Sequence, residues 1–88
     1  MNVLDKYQKE AQKRFKMFYD RTAESEEDNH IVHVASSIML TRDNVISGGS
    51  FVQAFVDNKL SEAVNRADDQ VINHFRFLSN VKSFSYVE

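Results

Sequence analysis

The first segment of the chain has the hydrophobic spacing of an amphipathic helix. Apolar residues recur every three or four positions, and lysines occupy most of the opposite face. These apolar positions are Leu4, Tyr7, Ala11, Phe15 and Phe18. The pattern predicts a helix that ends near Asp20–Arg21 and turns this apolar face toward the core.

A second helix is predicted to begin after Ser25 and to run to about Thr41. Ser25 is a candidate N-cap, and the acidic residues 26–28 suit the positive end of the helix dipole. The expected buried stripe is Ile31, Val34, Ala35, Ile38 and Met39. The β-branched stretch 30–34 also permits a strand, but the whole segment fits the helical period better.

The second half of the chain contains a glycine turn and two more predicted helices. Residues 43–50 form the main loop, and Ser50 is the predicted N-cap of a short helix through Val56. The last helix is predicted as one element with the apolar stripe Leu60, Ala63, Val64, Ala67, Val71, Phe75 and Leu78. Residues 81–88 follow as a tail. We therefore expect an all-α bundle of three or four helices with a short extended C-terminal tail.

Composition limits the architecture and the cellular compartment. The 88 residues predict a single helical domain spanning residues 1–88. Cysteine is absent, which excludes disulfides and thiolate metal sites. Proline is also absent and there are 2 glycines, so the chain has few of the turn residues that β-sandwiches and barrels need. No apolar run reaches the roughly 20 residues of a membrane span. The first residues lack the apolar region of a secretory signal, so we expect a cytoplasmic protein with no membrane partner.

The distribution of charge argues against a general nucleic-acid binder. The net charge is -2, although residues 1–21 carry six basic and three acidic side chains. Residues 22–29 carry four acidic side chains and no basic one. Nucleic-acid-binding domains are usually clearly basic, so strong nucleic-acid binding is not expected.

No residue pattern indicates catalysis, a metal or a cofactor. His30 and His33 are three residues apart and could share a helix face, but no third ligand follows at a recognised spacing. An ordinary surface pair is the favoured interpretation. The serines lack a nucleophile elbow, and the adjacent Asp68 and Asp69 point in different directions on a helix. We therefore expect a protein that is not an enzyme.

The sequence Ser47-Gly48-Gly49-Ser50 is the clearest candidate ligand site. Backbone N–H groups at the start of a helix can hold a phosphate, and Arg42, Lys59 or Arg66 could add positive charge. The alternative is a turn that ends one helix and starts the next, and the spacing favours this alternative. Arg66 could equally pair with an acidic residue of its own helix, while Asn58 caps that helix.

Aromatic residues off the predicted stripes indicate a homo-oligomer. Phe77 lies beside the stripe of the last helix, and Phe84 and Tyr86 lie on the tail. In so small a chain, surplus apolar surface is more readily buried between subunits than within one.

Residues Gly48–Asp69 resemble a pattern found in small uncharacterised phage and prophage proteins. In that pattern a glycine turn and Phe-Val precede Asn-x-Leu-x-x-Ala-x-x-Arg-Ala-Asp. The matching residues are Gly48, Gly49, Phe51, Val52, Asn58, Leu60, Ala63, Arg66, Ala67 and Asp68. The match covers about a quarter of the chain. The chain departs from the pattern at Ser47, where proline is common, at Lys59, where an acidic residue is common, and in its C-terminal tail.

The resemblance implies a phage accessory protein that counters host defence. One group of such proteins acts as sponges, which sequester cyclic or ADP-ribose-like nucleotide immune signals without catalysis. On this hypothesis the glycine turn and Arg66 hold phosphate, while Phe51 or Tyr7 stacks on a base. The candidate ligand-binding residues are Gly48, Gly49, Ser50, Phe51, Lys59, Arg66 and Tyr7.

The alternative hypothesis is a protein–protein inhibitor of a host enzyme or defence complex. It would use the basic face of the first helix, the acidic residues 24–28 or the aromatic tail. A structural helix bundle with weak nucleic-acid contacts is a third interpretation, which the balanced charge disfavours.

Overall fold

The structure, a computed structural model, describes residues 3–83, which form six α-helices and no strand. The helices are α1 (Val3–Tyr19), α2 (Glu26–Arg42), α3 (Ser50–Val56), α4 (Leu60–Arg66), α5 (Asp69–Asn73) and α6 (Phe75–Ser83). The predicted all-α class is confirmed, and the strand alternative for residues 30–34 is wrong. Within residues 3–83, no helix combines the length and hydropathy that crossing a membrane requires.

Helix α2 is the centre of the fold, and α1, α3, α5 and α6 pack around it. The predicted stripe of α2 is buried throughout. Val32 and Leu40, which lie outside that stripe, are buried as well. A helix that neighbours contact on several sides needs apolar residues around most of its circumference, so this sequence is only weakly amphipathic.

The N-terminus of α2 is fixed by a capping box. The Ser25 hydroxyl accepts a hydrogen bond from the backbone N–H of Asp28 at 3.0 Å. The Asp28 carboxylate accepts in return from the backbone N–H of Ser25 at 3.4 Å. The predicted N-cap is therefore confirmed, and the reciprocal bond satisfies a second N–H of the first helical turn.

Helix α1 packs against α2 and α6 through the middle of its predicted apolar face. Tyr7, Ala11 and Phe15 are buried as predicted. Leu4 and Phe18, at the two ends of that face, are exposed, and their predicted burial is wrong. Phe18 is exposed because α6 covers only part of the end of α1.

The predicted last helix is three short helices. It breaks at Asp68, whose carboxylate accepts from the backbone N–H of Val71 at 2.8 Å and caps α5. It breaks again at His74, between α5 and α6. In α4 Ala63 is buried, whereas Leu60 and Val64 are exposed, so their predicted burial is wrong.

The final helix, α6, continues into the predicted tail. Its buried residues are Phe77, Leu78 and Val81. Val81 was expected in an extended tail and Phe77 in an interface between subunits. Both side chains instead lie in the core of the same chain, which corrects these two predictions. The rest of the predicted tail, with Phe84 and Tyr86, lies outside the described residues.

Candidate functional site

Gly48 is a packing glycine, because there is no space for a side chain at this position. A Cβ atom here would lie 2.6 Å from Val52 Cγ1 and 2.7 Å from Thr41 Oγ1. Val52 is β-branched and stiff at χ1, so it cannot easily move aside. Gly48 therefore lets the loop approach the end of α2 and the start of α3, whereas the predicted role of a glycine that ends one helix is wrong, because α2 already ends at Arg42 with Asp43 as its C-cap.

Gly49, rather than the predicted Ser50, is the N-cap of α3. No side chain caps this terminus, and Ser50 is already the first residue of the helix. Gly49 has open space where a Cβ atom would be. The two adjacent glycines thus have different surroundings, and alanine substitutions can separate their roles.

We expect Gly48→Ala to lower the free energy of unfolding by about 1 to 3 kcal/mol, because it overpacks the contact with Val52. Gly49→Ala is the matched control. Its backbone angles suit alanine, so the expected loss is below about 1 kcal/mol. Urea unfolding followed by circular dichroism measures both values. Equal stability of the two variants would contradict the packing role of Gly48.

Tyr7 is a core residue and cannot stack on a ligand base in this structure. Its ring is buried, and its hydroxyl donates to Asp43 Oδ2 at 2.6 Å. This bond ties α1 to the loop that follows α2. Burial raises the pKa of the Asp43 carboxyl. Hydrogen bonds from Arg42 and Tyr7 lower it by more than burial raises it, so the pKa lies below its ordinary value.

The remaining candidate ligand residues lie along α3 and α4 and at the N-cap positions of these helices. Phe51 is half-buried and packs its ring on Phe55, with centroids 5.5 Å apart. Lys59 and Arg66 are exposed at opposite ends of α4, separated by on the order of 10 Å of helix. Within residues 3–83, Arg66 takes part in no ion pair.

The expected capping role of Asn58 is also wrong. Asn58 adopts a left-handed conformation (φ 64), and its side chain accepts from Lys82 Nζ. Lys59 occupies the N-cap position of α4 without a capping hydrogen bond from its side chain. Asn58 therefore links the α3–α4 turn to α6 instead of capping α4.

The sequence pattern assigned no role to His74, but both of its ring nitrogens lie within hydrogen-bonding distance of other side chains. It is buried, and its Nδ1 lies 2.5 Å from the Tyr19 hydroxyl. Its Nε2 lies 2.9 Å from Glu27 Oε2. These two hydrogen bonds join the end of α1, the start of α2 and the α5–α6 break. Its place at a helix break that sequence periodicity concealed explains why it was missed.

His30 and His33 do not form a metal centre with other residues of the described chain. His30 Nε2 lies 3.5 Å from Asp68 Oδ2, and His33 is exposed. No cluster of three or more potential ligands occurs among residues 3–83. The structure places His30 beside the cap of α5.

An open groove of two adjoining parts lies between α1 and α6. Its first part, of about 400 Å³, is lined by Arg14, Met17, Phe18 and Asn80. A second part shares Phe18 and Asn80 and adds Phe75, Arg76, Ser79 and Ser83. Together these two parts are called the α1–α6 groove below.

Two large apolar side chains in the groove are exposed to solvent. Met17 is 73% exposed and Phe18 40% exposed. Phe18 also packs on the buried ring of Phe77, with centroids 5.5 Å apart. One face of its ring is therefore held by the core while the rest meets solvent. A flexible thioether beside a ring held in this way suits an apolar side chain of another molecule.

The sequence could not reveal this groove. Its apolar spacing assigned Phe18 to the core and gave Met17 no role. The groove forms because α6 begins at Phe75 and covers only part of α1. The one available signal was Met17 next to the predicted apolar face of a helix.

The described residues form a small all-α protein with a partly apolar groove between α1 and α6. No protein-family description, curated protein or solved structure matches this chain.

Proposed function

We propose that this chain is a binding protein that acts without catalysis and docks a partner protein in the α1–α6 groove. The observation that carries this proposal is the exposure of Met17 and Phe18 in one concave surface. Exposed apolar patches with polar rims are typical of interaction sites. Here Arg14, Arg76 and Asn80 supply the polar rim.

The proposal develops the protein–protein hypothesis. The resemblance to phage accessory proteins supports a host enzyme or defence complex as the partner and the host cytoplasm as the location. The basic face of α1, one of the surfaces expected to act in that hypothesis, borders the groove through Lys13, which lines a neighbouring hollow with Arg14 and Met17.

Nucleotide sequestration stays a prediction with less support. Its stacking candidate Tyr7 is buried and Gly48 is packed against Val52. Gly49, Ser50, Phe51, Lys59 and Arg66 are the candidates that remain. A thermal-shift screen of cyclic nucleotides tests it, because a ligand that binds only the folded state raises the melting temperature.

A homo-oligomer also stays a proposal, now with a different surface. Leu60 is 58% exposed and Val64 48% exposed, and they are one helical turn apart on α4. This face could pack on a second copy, whereas Phe77 cannot. The mass in solution, measured by light scattering, reports whether copies assemble.

The partner-docking proposal is tested with Met17→Glu. Host proteins captured by the wild-type chain are identified, purified and titrated against both forms by calorimetry. We expect Met17→Glu to weaken binding by at least about tenfold, because it places a charge where an apolar contact is buried. Leu60→Glu is the matched control, since it puts the same charge on an exposed apolar residue of α4.

Two outcomes would contradict docking in the groove. One is a purified partner whose affinity is the same for wild type and Met17→Glu. The other is an equal loss of affinity in Met17→Glu and Leu60→Glu. Circular dichroism of both variants establishes that the fold is retained before binding is compared.

A further inference from the structure

We infer that the occupant of the α1–α6 groove is an amphipathic helix with acidic residues beside its apolar face. This inference rests on the proposed docking function and specifies the chemistry of the partner. Three features carry it: the charge around the groove, its shape and the absence of strands in residues 3–83.

The charge around the groove is one-sided. The described residues that line it include Arg14 and Arg76 and no carboxylate. Glu10 approaches from the α1 side and pairs with Arg14 at 2.8 Å, so these two charges offset each other and the net positive charge comes from Arg76 and Lys13. Lys13 lies beside Arg14 and Met17. Opposite charges across an interface speed association and select partners, so the complementary ligand is acidic.

The basic stripe of α1 extends this charge along the helix. Lys9, Lys13 and Lys16 are exposed at spacings of four and three, which place them along one side of α1. Lys16 and Lys13 also line a hollow toward the end of α1. This stripe lies on the face of α1 opposite its buried face, so Lys13, which lines a hollow with Met17, is the lysine of the stripe that stands beside the groove.

The shape of the groove suits a helix. Met17, Phe18 and Phe75 provide apolar contacts. The α6 side carries the short side chains of Ser79, Asn80 and Ser83, which permit a close approach of another backbone. From Phe75 to Ser83, α6 is about 12 Å long, which matches two turns of a helix with apolar anchors at every third or fourth position.

An extended peptide has no comparable site in the described residues. Recognition of a strand by backbone pairing needs an exposed sheet edge, and residues 3–83 contain no strand. A helix satisfies its own backbone hydrogen bonds and binds through side chains alone. This mode of binding matches a groove that offers side chains and no sheet edge.

The test uses designed peptides of about 14 residues, or roughly 20 Å of helix. The acidic peptide carries leucines at helical spacing and glutamates on both flanks. Its twin carries lysines in place of the glutamates. Binding is followed through the ¹³C-labelled methyl of Met17, with the fully buried Met39 methyl as internal reference.

We expect the acidic peptide to shift the Met17 signal saturably and to leave Met39 in place. The lysine twin is expected to bind at least about tenfold more weakly, and added salt should weaken the acidic peptide. Lys13→Glu combined with Arg76→Glu should reverse the preference, so that the lysine twin binds better. Lys59→Glu combined with Arg66→Glu is the matched control on α4 and should change nothing.

Each contrary result has a defined meaning. Equal binding of both peptides at Met17 overturns the acidic character of the partner and leaves docking in the groove intact. If neither peptide shifts Met17, the helical partner is overturned, while docking is judged by the Met17→Glu titration. If anionic lipid vesicles shift Met17 and the acidic peptide does not, the surface binds membranes and the inference fails.

Discussion

Replacement of Phe77 by alanine is expected to lower the free energy of unfolding by about 3 to 5 kcal/mol. Phe77 is fully buried. It packs on Phe15 and Tyr19 of α1 with ring centroids 5.6 and 5.5 Å away. Removal of this ring leaves a cavity between α1 and α6. Urea unfolding monitored by circular dichroism, together with the melting temperature, measures the loss.

Two further variants serve as comparisons for the stability loss of Phe77→Ala. Phe18→Ala removes the same type of ring from the same cluster, but Phe18 is 40% exposed, so we expect less than half the loss. Phe77→Leu keeps an apolar side chain in the same place and leaves a smaller cavity, so we expect a smaller loss than for Phe77→Ala. Full stability of Phe77→Ala with a reduced mass in solution would contradict the core position and restore the subunit interface first expected.

The position of Phe77 shows where sequence periodicity stops being informative. Counted along one continuous helix, Phe75 and Leu78 share a stripe and Phe77 falls beside it. The break at His74 starts a new helix with its own phase, and Phe77, Leu78 and Val81 then face the core. Neither glycine nor proline marks the break, so the usual signals of helix termination are missing.

The first half of the chain was predictable because its elements are long and locally specified. The capping serine and the heptad-like spacing in α1 and α2 act within a few residues of each other. The break at Asp68 has a local signal, the carboxylate that caps α5, whereas the break at His74 coincides with the hydrogen bonds of His74 to Tyr19 and Glu27. These partners lie more than forty residues away along the chain, beyond the range of any local pattern.

The candidate site was ambiguous from the sequence for a related reason. Tyr7 fits both a core stripe and a stacking residue, and only the structure shows that its hydroxyl bonds to Asp43. Gly48 fits both a phosphate loop and a turn between helices, and only the structure shows how closely it packs against Val52. The groove between α1 and α6, by contrast, depends on how the two helices pack, and the sequence of one helix alone does not determine that packing.

Replacement of Asp28 by alanine is expected to destabilise the fold by about 2 to 3 kcal/mol, because it removes charge-assisted hydrogen bonds from a buried position. The Asp28 carboxylate accepts from Arg21 at 2.5 and 3.0 Å. It also accepts from the backbone N–H of Glu24 at 3.2 Å and completes the capping box with Ser25. It therefore orders the whole connection between α1 and α2.

The same carboxylate makes stability depend on pH. The hydrogen bonds from Arg21 lower the pKa of Asp28 strongly, burial opposes this, and the backbone bonds from Glu24 and Ser25 lower it further. Because the pKa in the folded chain is below that of the unfolded chain, the stabilisation is complete above about pH 5. It is lost as the pH falls below about 4 and toward the pKa of the folded chain.

Asp28→Asn isolates this contribution, since the amide cannot ionise. The difference in melting temperature between wild type and Asp28→Asn should be largest near neutral pH and should shrink steadily as acid is added. Glu26→Gln is the matched control, because it removes a charge from the first turn of the same helix at an exposed position. A gap between wild type and Asp28→Asn that stays constant from neutral pH down to about pH 2 would mean that Asp28 acts through shape alone. The link between Arg21 and the capping box would then not depend on the charge of the carboxylate.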